Sequence, residues 1–204
     1  MRRLLALSTF LTASFFPAGL VAGSPSQPSP EQGNLELTLI PGAPLRLELS
    51  SGDYRIEAGQ PDRMLITSRP KNPADRAKVH FGISATRTSA LVRVSGSRDF
   101  AATIQIPRNL NLNVRLSAGR LVIDRIIGDK DIQSHAGELE INVGRPEDYK
   151  TVDASVFAGD IDASAFQGAK SGLFRSFNSK GPGRYRLHVH LGAGQIRLIR
   201  EEAI

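Results

Sequence analysis

Around five glycines, Gly52, Gly119, Gly137, Gly159 and Gly194, the chain writes the same alternation of apolar and polar residues. Two residues after each stand Tyr54, Leu121, Leu139, Ile161 and Ile196. Four after stand Ile56, Ile123, Ile141, Ala163 and Leu198. Five before stand Leu47, Val114, Ile132, Ala154 and Val189, and three before stand Leu49, Leu116, Ser134, Val156 and Leu191. Alternation with period two marks a strand with one face in a core and one in water. A glycine where two such runs meet predicts a bend, because it takes backbone conformations that larger residues resist. Eighteen residues separate Gly119 from Gly137 and 22 separate Gly137 from Gly159, the length of one coil of a β-solenoid. The 35 residues before Gly194 hold an insertion, "SGLFRSFNSKGPGR", after which "YRLHVHLGAGQIRL" resumes the pattern.

The expected fold is therefore all-β: a single-stranded β-helix, or β-solenoid, whose coils stack in chain order. An antiparallel sandwich with recurring hairpins is the competing architecture. Upstream, "NLELTLI", "PLRLELS", "DYRIEA", "RMLITSR", "ALVRVSG", "ATIQIP" and "LNVRLS" read as strands, and "RPKNPADRAK" as a loop. No amphipathic helix of ordinary length is visible. Leu173, Phe174 and Phe177 in the insertion read as a cap on the solenoid end, or else as a partner-binding patch. His135 is expected to pack at a bend.

These residues carry a resemblance. "LRLELSSGDYRIEA", "IQIPRNLNLNVRLSAGRLVIDRI" and "GLFRSFNSKGPGRYRLHVHLGAGQIRL" are similar to segments of a bacterial family of unknown function labelled "putative adhesin", over roughly residues 35–199. The resemblance implies an exported, single-domain β-helical fold with no established catalytic residues.

The N-terminus adds a compartment. Arg2 and Arg3, the apolar run Leu4 to Phe16 and the small residues up to Gly23 form a secretory signal peptide over residues 1–23. A Pro/Ser-rich leader follows at 24–33, and the adhesin-like domain occupies 34–204. The apolar run is broken by Ser14, Pro17 and Gly19, too short for a spanning helix, and no other transmembrane segment follows in the mature chain. Removal of residues 1–23 takes two of the 26 basic residues and none of the 20 acidic ones, leaving a net charge of +4. The absence of cysteine removes thiol and zinc–thiolate chemistry. An exported, mildly basic domain without a recognition motif argues against nucleic acid.

Two groups of side chains are candidates for chemistry. If coils stack in chain order, Glu138, Glu140, Asp160 and Asp162 form one acidic patch, flanked by Arg120 and Arg197. That patch is either a Ca²⁺ site, since this hard cation takes carboxylate oxygens in flexible geometry, or a solvated face. In "RYRLHVHL", Arg184, Arg186, His188 and His190 face outward. With Arg175 and Lys180 nearby they suit an anionic polysaccharide, lipid headgroup, surface polymer or envelope protein, and the two histidines suit a transition metal. No nucleophile, zinc-protease or phosphate-loop motif is present, no cofactor is implied, and neither Ser nor Asp pairs with histidine at meaningful spacing. The sequence points to a non-enzymatic interaction module of the cell envelope. The alternative is a polysaccharide-active enzyme, lyase or hydrolase, using the acidic face. A filament subunit is the third possibility, and the oligomeric state is open.

Overall fold

The computed structural model describes residues 34–200 apart from 41, 70–74, 76–77, 87–88 and 97–99; the expected signal peptide and leader lie outside the described residues. The described chain is all-β, in one open twelve-stranded sheet. The strands are β1 (Asn34–Thr38), β2 (Leu45–Leu49), β3 (Gly52–Ala58), β4 (Arg63–Ser68), β5 (His80–Ala85) and β6 (Ala90–Ser95). β7 (Ala101–Ile106), β8 (Leu112–Asp124), β9 (Lys130–Gly144), β10 (Tyr149–Ala163), β11 (Gly168–Lys180) and β12 (Tyr185–Arg200) complete it.

The building unit is a strand of 13 to 16 residues bent at its glycine, as in β8, β9, β10 and β12. β2 and β3 make the same unit in two halves: β2 pairs with the first leg of β8 and β3 with the second. β6 and β7 repeat it again on β2 and β3. Each bend shifts the alternation by one, so that inward residues change parity and both legs keep their apolar face inside. In β9 the inward residues are Ile132 and Ser134 before Gly137, then Leu139 and Ile141 after it.

The columns of like residues run straight through the stack. Val92, Leu47, Val114, Ile132, Val189 and Ala154 line up on the first leg. Ile104, Ile56, Ile123, Ile141 and Leu198 line up on the second, all with no accessible surface. Each such side chain contributes roughly 1.5–3 kcal/mol by leaving water, so the columns hold the stack together without disulfides.

The order of the stack departs from the chain order expected of a β-solenoid. Coils in a solenoid follow chain order, but here β12 lies between β9 and β10, parallel to both. The inserted segment explains this. It forms β11, which runs antiparallel to β10 and returns the chain to the start of β10. The loop 181–184 then clasps that start, with the Gly181 amide donating to the Lys150 carbonyl and the Arg184 amide to that of Asp148. β12 therefore begins on the other side of β10 and fills the slot beside β9. At the opposite end β5 and β4 pair antiparallel on β6 and β7, and β1 closes on β4.

The corner is the tightest point. Gly137 has φ +125°, and a methyl group placed on it would sit 1.8 Å from the Gly119 carbonyl oxygen. Gly144 has φ +65° with nothing within 4 Å of the same methyl. Urea denaturation should therefore separate the two alanine variants. Gly144→Ala is expected to cost about 1–2 kcal/mol, the left-handed backbone alone. Gly137→Ala is expected to cost more than about 4 kcal/mol, because backbone cannot move aside. Equal losses would refute the corner's role.

Candidate functional site

The outward face of the first leg gathers the polar side chains of most interest. In "RYRLHVHL" the alternation is as expected: Leu187, Val189 and Leu191 are buried, and Arg184, Arg186, His188 and His190 are exposed. Parallel register then sets these residues beside partners far away in sequence. One row across the strands is Asn113, Asp131, His188, Asp153 and Asn178; the next is Arg115, Gln133, His190, Ser155 and Ser176.

Within these rows the side chains hold one another. Arg115 Nη2 donates to Asp131 Oδ2 at 2.8 Å, and Asn113 Nδ2 donates to the same oxygen at 3.0 Å. Ser155 Oγ and His190 Nδ1 are 2.9 Å apart. Arg186 uses its backbone amide, Nε and Nη2 to donate to the Asp129 carboxylate at 2.8, 3.3 and 3.1 Å. Arg184 departs from the group: it stacks over Tyr185, 4.6 Å from the ring centroid, at the strand's start. Arg93 donates to Glu48 at 2.6 Å and, with Arg46, holds that carboxyl below the usual carboxylate range.

Two open grooves cross this face. One, of about 620 Å³, runs over Glu48, Arg93, Arg115, Gln133, His135 and His190. The other, of about 380 Å³, is lined by Asn113, Asp129, Asp131, Asp153, Arg186 and His188 among others. Two expectations change here. His135 does not pack into the bend but is exposed on the outer corner, opposite Ser117 and Gly192. Its odd position puts it on the outward parity of β9. A serine–histidine pair also exists, between residues 35 apart that only the sheet register joins. Among the described residues no carboxylate bonds the His190 ring, and the pair lies on an exposed face.

The expected acidic patch is split. Glu138 and Glu140 sit on β9, and Asp160 and Asp162 on β10, with Gln195 and Arg197 of β12 between them. Adjacent strands are about 4.8 Å apart, so the two acidic pairs stand about 10 Å apart. Arg197 Nη1 takes Glu140 at 3.1 Å, and Arg120 reaches Glu140 at 3.5 Å and Glu138 at 3.9 Å. Among the described residues no three His, Cys, Asp or Glu side chains come together in a way that holds a metal ion. The compact acidic patch is therefore not formed, because it assumed β10 directly on β9. The inserted apolar residues divide. Phe177 is half-buried and packs against Phe166 and the core, while Leu173 and Phe174 project into water beside Phe157.

One chemical group went unread in the sequence. Lys130 occupies the inward column of Leu45, Leu112, Leu187 and Val152 and is 2% exposed. Its Nζ donates to the Tyr149 hydroxyl at 2.8 Å and to the Gly128 carbonyl at 3.2 Å. A lysine in an otherwise apolar column was the available signal. Burial pulls its pKa down to about 8, against the opposing pull of Asp129, and burial pushes that of Tyr149 up.

No family model matches the chain, and no curated protein matches it. A solved structure does: a "putative cell adhesion protein" from Clostridium sporogenes, with TM-score 0.52 and 10% identity, over 86% of this chain and 100% of that one. The likeness is one of fold. Among the described residues no helix is long and apolar enough to cross a membrane.

The buried lysine gives a pH test. Its folded pKa lies below its unfolded one, so between pH 8 and 10.5 the unfolded chain binds more protons and stability rises with pH, by up to roughly 3 kcal/mol. Tyr149 and Tyr54, raised by burial, act oppositely above about pH 10, where only the unfolded phenols ionise. The urea midpoint is expected to climb from pH 8 to a maximum near 10 and then fall. Lys130→Met should flatten the climb; a wild-type midpoint that stays level across that interval would rule out the assignment.

Proposed function

We propose that the chain is an exported, non-enzymatic, adhesin-like interaction module of the bacterial cell envelope. Its glycine-bent, β-solenoid-like stack serves as a rigid scaffold for the polar face around Arg186, His188 and His190. The partner is a surface polymer, polysaccharide or envelope protein lying across the strands.

The observation that carries this reading is the form of the face. Its side chains come from rigid strands, are held by one another, and line open grooves across several strands instead of an enclosed chamber. An extended ligand meets such a surface along its length, whereas catalysis needs reactive groups converging on one bond. The fold-level likeness to a protein described as a cell adhesion candidate agrees with this reading. Neither groove is lined by Glu138, Glu140, Asp160 or Asp162, the carboxylates on which the polysaccharide-active alternative rests.

Co-sedimentation of the chain lacking residues 1–23 with purified envelope polysaccharide and peptidoglycan tests the proposal. Saturable retention is expected, weakened about tenfold, or 1.4 kcal/mol, in Arg186→Ala/His188→Ala/His190→Ala. Unchanged retention in that variant would move the site elsewhere, and release of reducing ends from the polymer would make the protein an enzyme.

A further inference from the structure

We propose that the free edge of β11 is a strand-addition site for an extended, acidic polypeptide segment. This edge lies at the end of the rows that make the polar face, and the inference does not rest on the function assigned to that face.

Among the described residues β11 pairs with β10 on one side only, and no other described strand covers the opposite edge of its 13 residues. The strands ending the sheet elsewhere are short, five residues in β1 and six in β5. A long open edge presents a row of unpaired amides and carbonyls, the template that a further strand completes. None of the 13 residues is buried.

The side chains specify what fits. Lys170, Arg175 and Lys180 give the strand three cations and no acid, and among the described residues none of them is in an ion pair. The carboxylates of β10 do not face them: Asp153 stands opposite Asn178, Asp160 opposite Ser171 and Asp162 opposite Ala169. Between the cations, Leu173 and Phe174 are 61% and 74% exposed, with Phe157 alongside and the two rings 4.6 Å apart. Phe174 has φ +52°, an uncommon conformation for a residue with a side chain. Large apolar groups held in water beside unpaired cations mark a surface that a partner covers.

Charge decides the occupant. A second β11 would set three cations against three. β5 offers no carboxylate, and Glu36 of β1 is already held by Arg63 at 2.6 Å. Among the described residues another copy of this chain therefore brings no free acid at the ends of its sheet. An extended segment alternating acidic and apolar residues supplies backbone pairing, carboxylates for the cations and cover for Phe174 and Leu173.

Fluorescence anisotropy with labelled 13-residue probes tests this on the whole chain lacking residues 1–23. A peptide alternating Glu and Val is expected to bind saturably, and one alternating Lys and Val to bind at least about tenfold more weakly. Methylating alternate amides of the Glu/Val probe should abolish binding, since it removes the ladder and leaves the charge. Lys170→Glu/Arg175→Glu/Lys180→Glu should invert the preference between the two peptides. Equal binding of the methylated probe would reduce the site to simple charge attraction, and binding of neither peptide would overturn the proposal. So would a concentration-dependent dimer in sedimentation that the triple variant abolishes, because the occupant would then be a second copy.

Discussion

The whole assembly rests on backbone meeting backbone at the corner. Gly52, Gly119, Gly137, Gly194 and Gly159 lie one on the next in the parallel register. At each of the last four an added methyl group would fall within 2.0 Å of the neighbouring glycine's carbonyl oxygen. The positive φ at the bend inserts the extra step that changes parity. Both legs then keep their apolar residues inside while the strand turns. Without that step, one leg of every unit would send its leucines and isoleucines to water. The core columns and the outward polar rows are thus two consequences of one steric requirement.

That same regularity sets the limits of what could be read from the residues. The columns, the bends and the outward positions of Arg186, His188 and His190 were legible, because period two and a recurring glycine are local signals. Strand order was not. Every unit carries the same columns, so any unit fits beside any other, and apolar pattern fixes register without fixing neighbours. β5, "HFGISA", escaped notice because its inward residues Phe81 and Ile83 flank a glycine and pack only partly against the core. Ser155 and Asp129 were invisible as partners of His190 and Arg186, since they lie 35 and 57 residues away and meet them only through the register.

Lys130 shows how the interior accommodates an exception. Placed in a leucine column, its ammonium is removed from water, a cost that its hydrogen bonds to Tyr149 and Gly128 only partly offset. The bond to Tyr149 also ties the first residue of β9 to the first residue of β10 across the intervening β12. A buried cation with two specific acceptors tolerates fewer arrangements than a leucine does. It therefore adds positional information that the repeating columns lack, at the end of the stack where β12 must find its slot.

Charges outside the core supply the rest of that information. Stacked in chain order, Gly159 over Gly137 would set Asp160 directly against Glu138 and Asp162 against Glu140. Like charges directly opposite one another on neighbouring strands destabilise a sheet. With β12 inserted, Arg197 stands between Glu140 and Asp162, and Gln195 between Glu138 and Asp160. Arg120 completes the alternation from the β8 side, bonding both glutamates. Repulsion becomes attraction on one row and is relieved on the other, while the columns inside stay filled. The four carboxylates that look like a metal site when the units are stacked in chain order thus help to exclude that order. Their arrangement selects among strand orders that the apolar pattern leaves nearly equal.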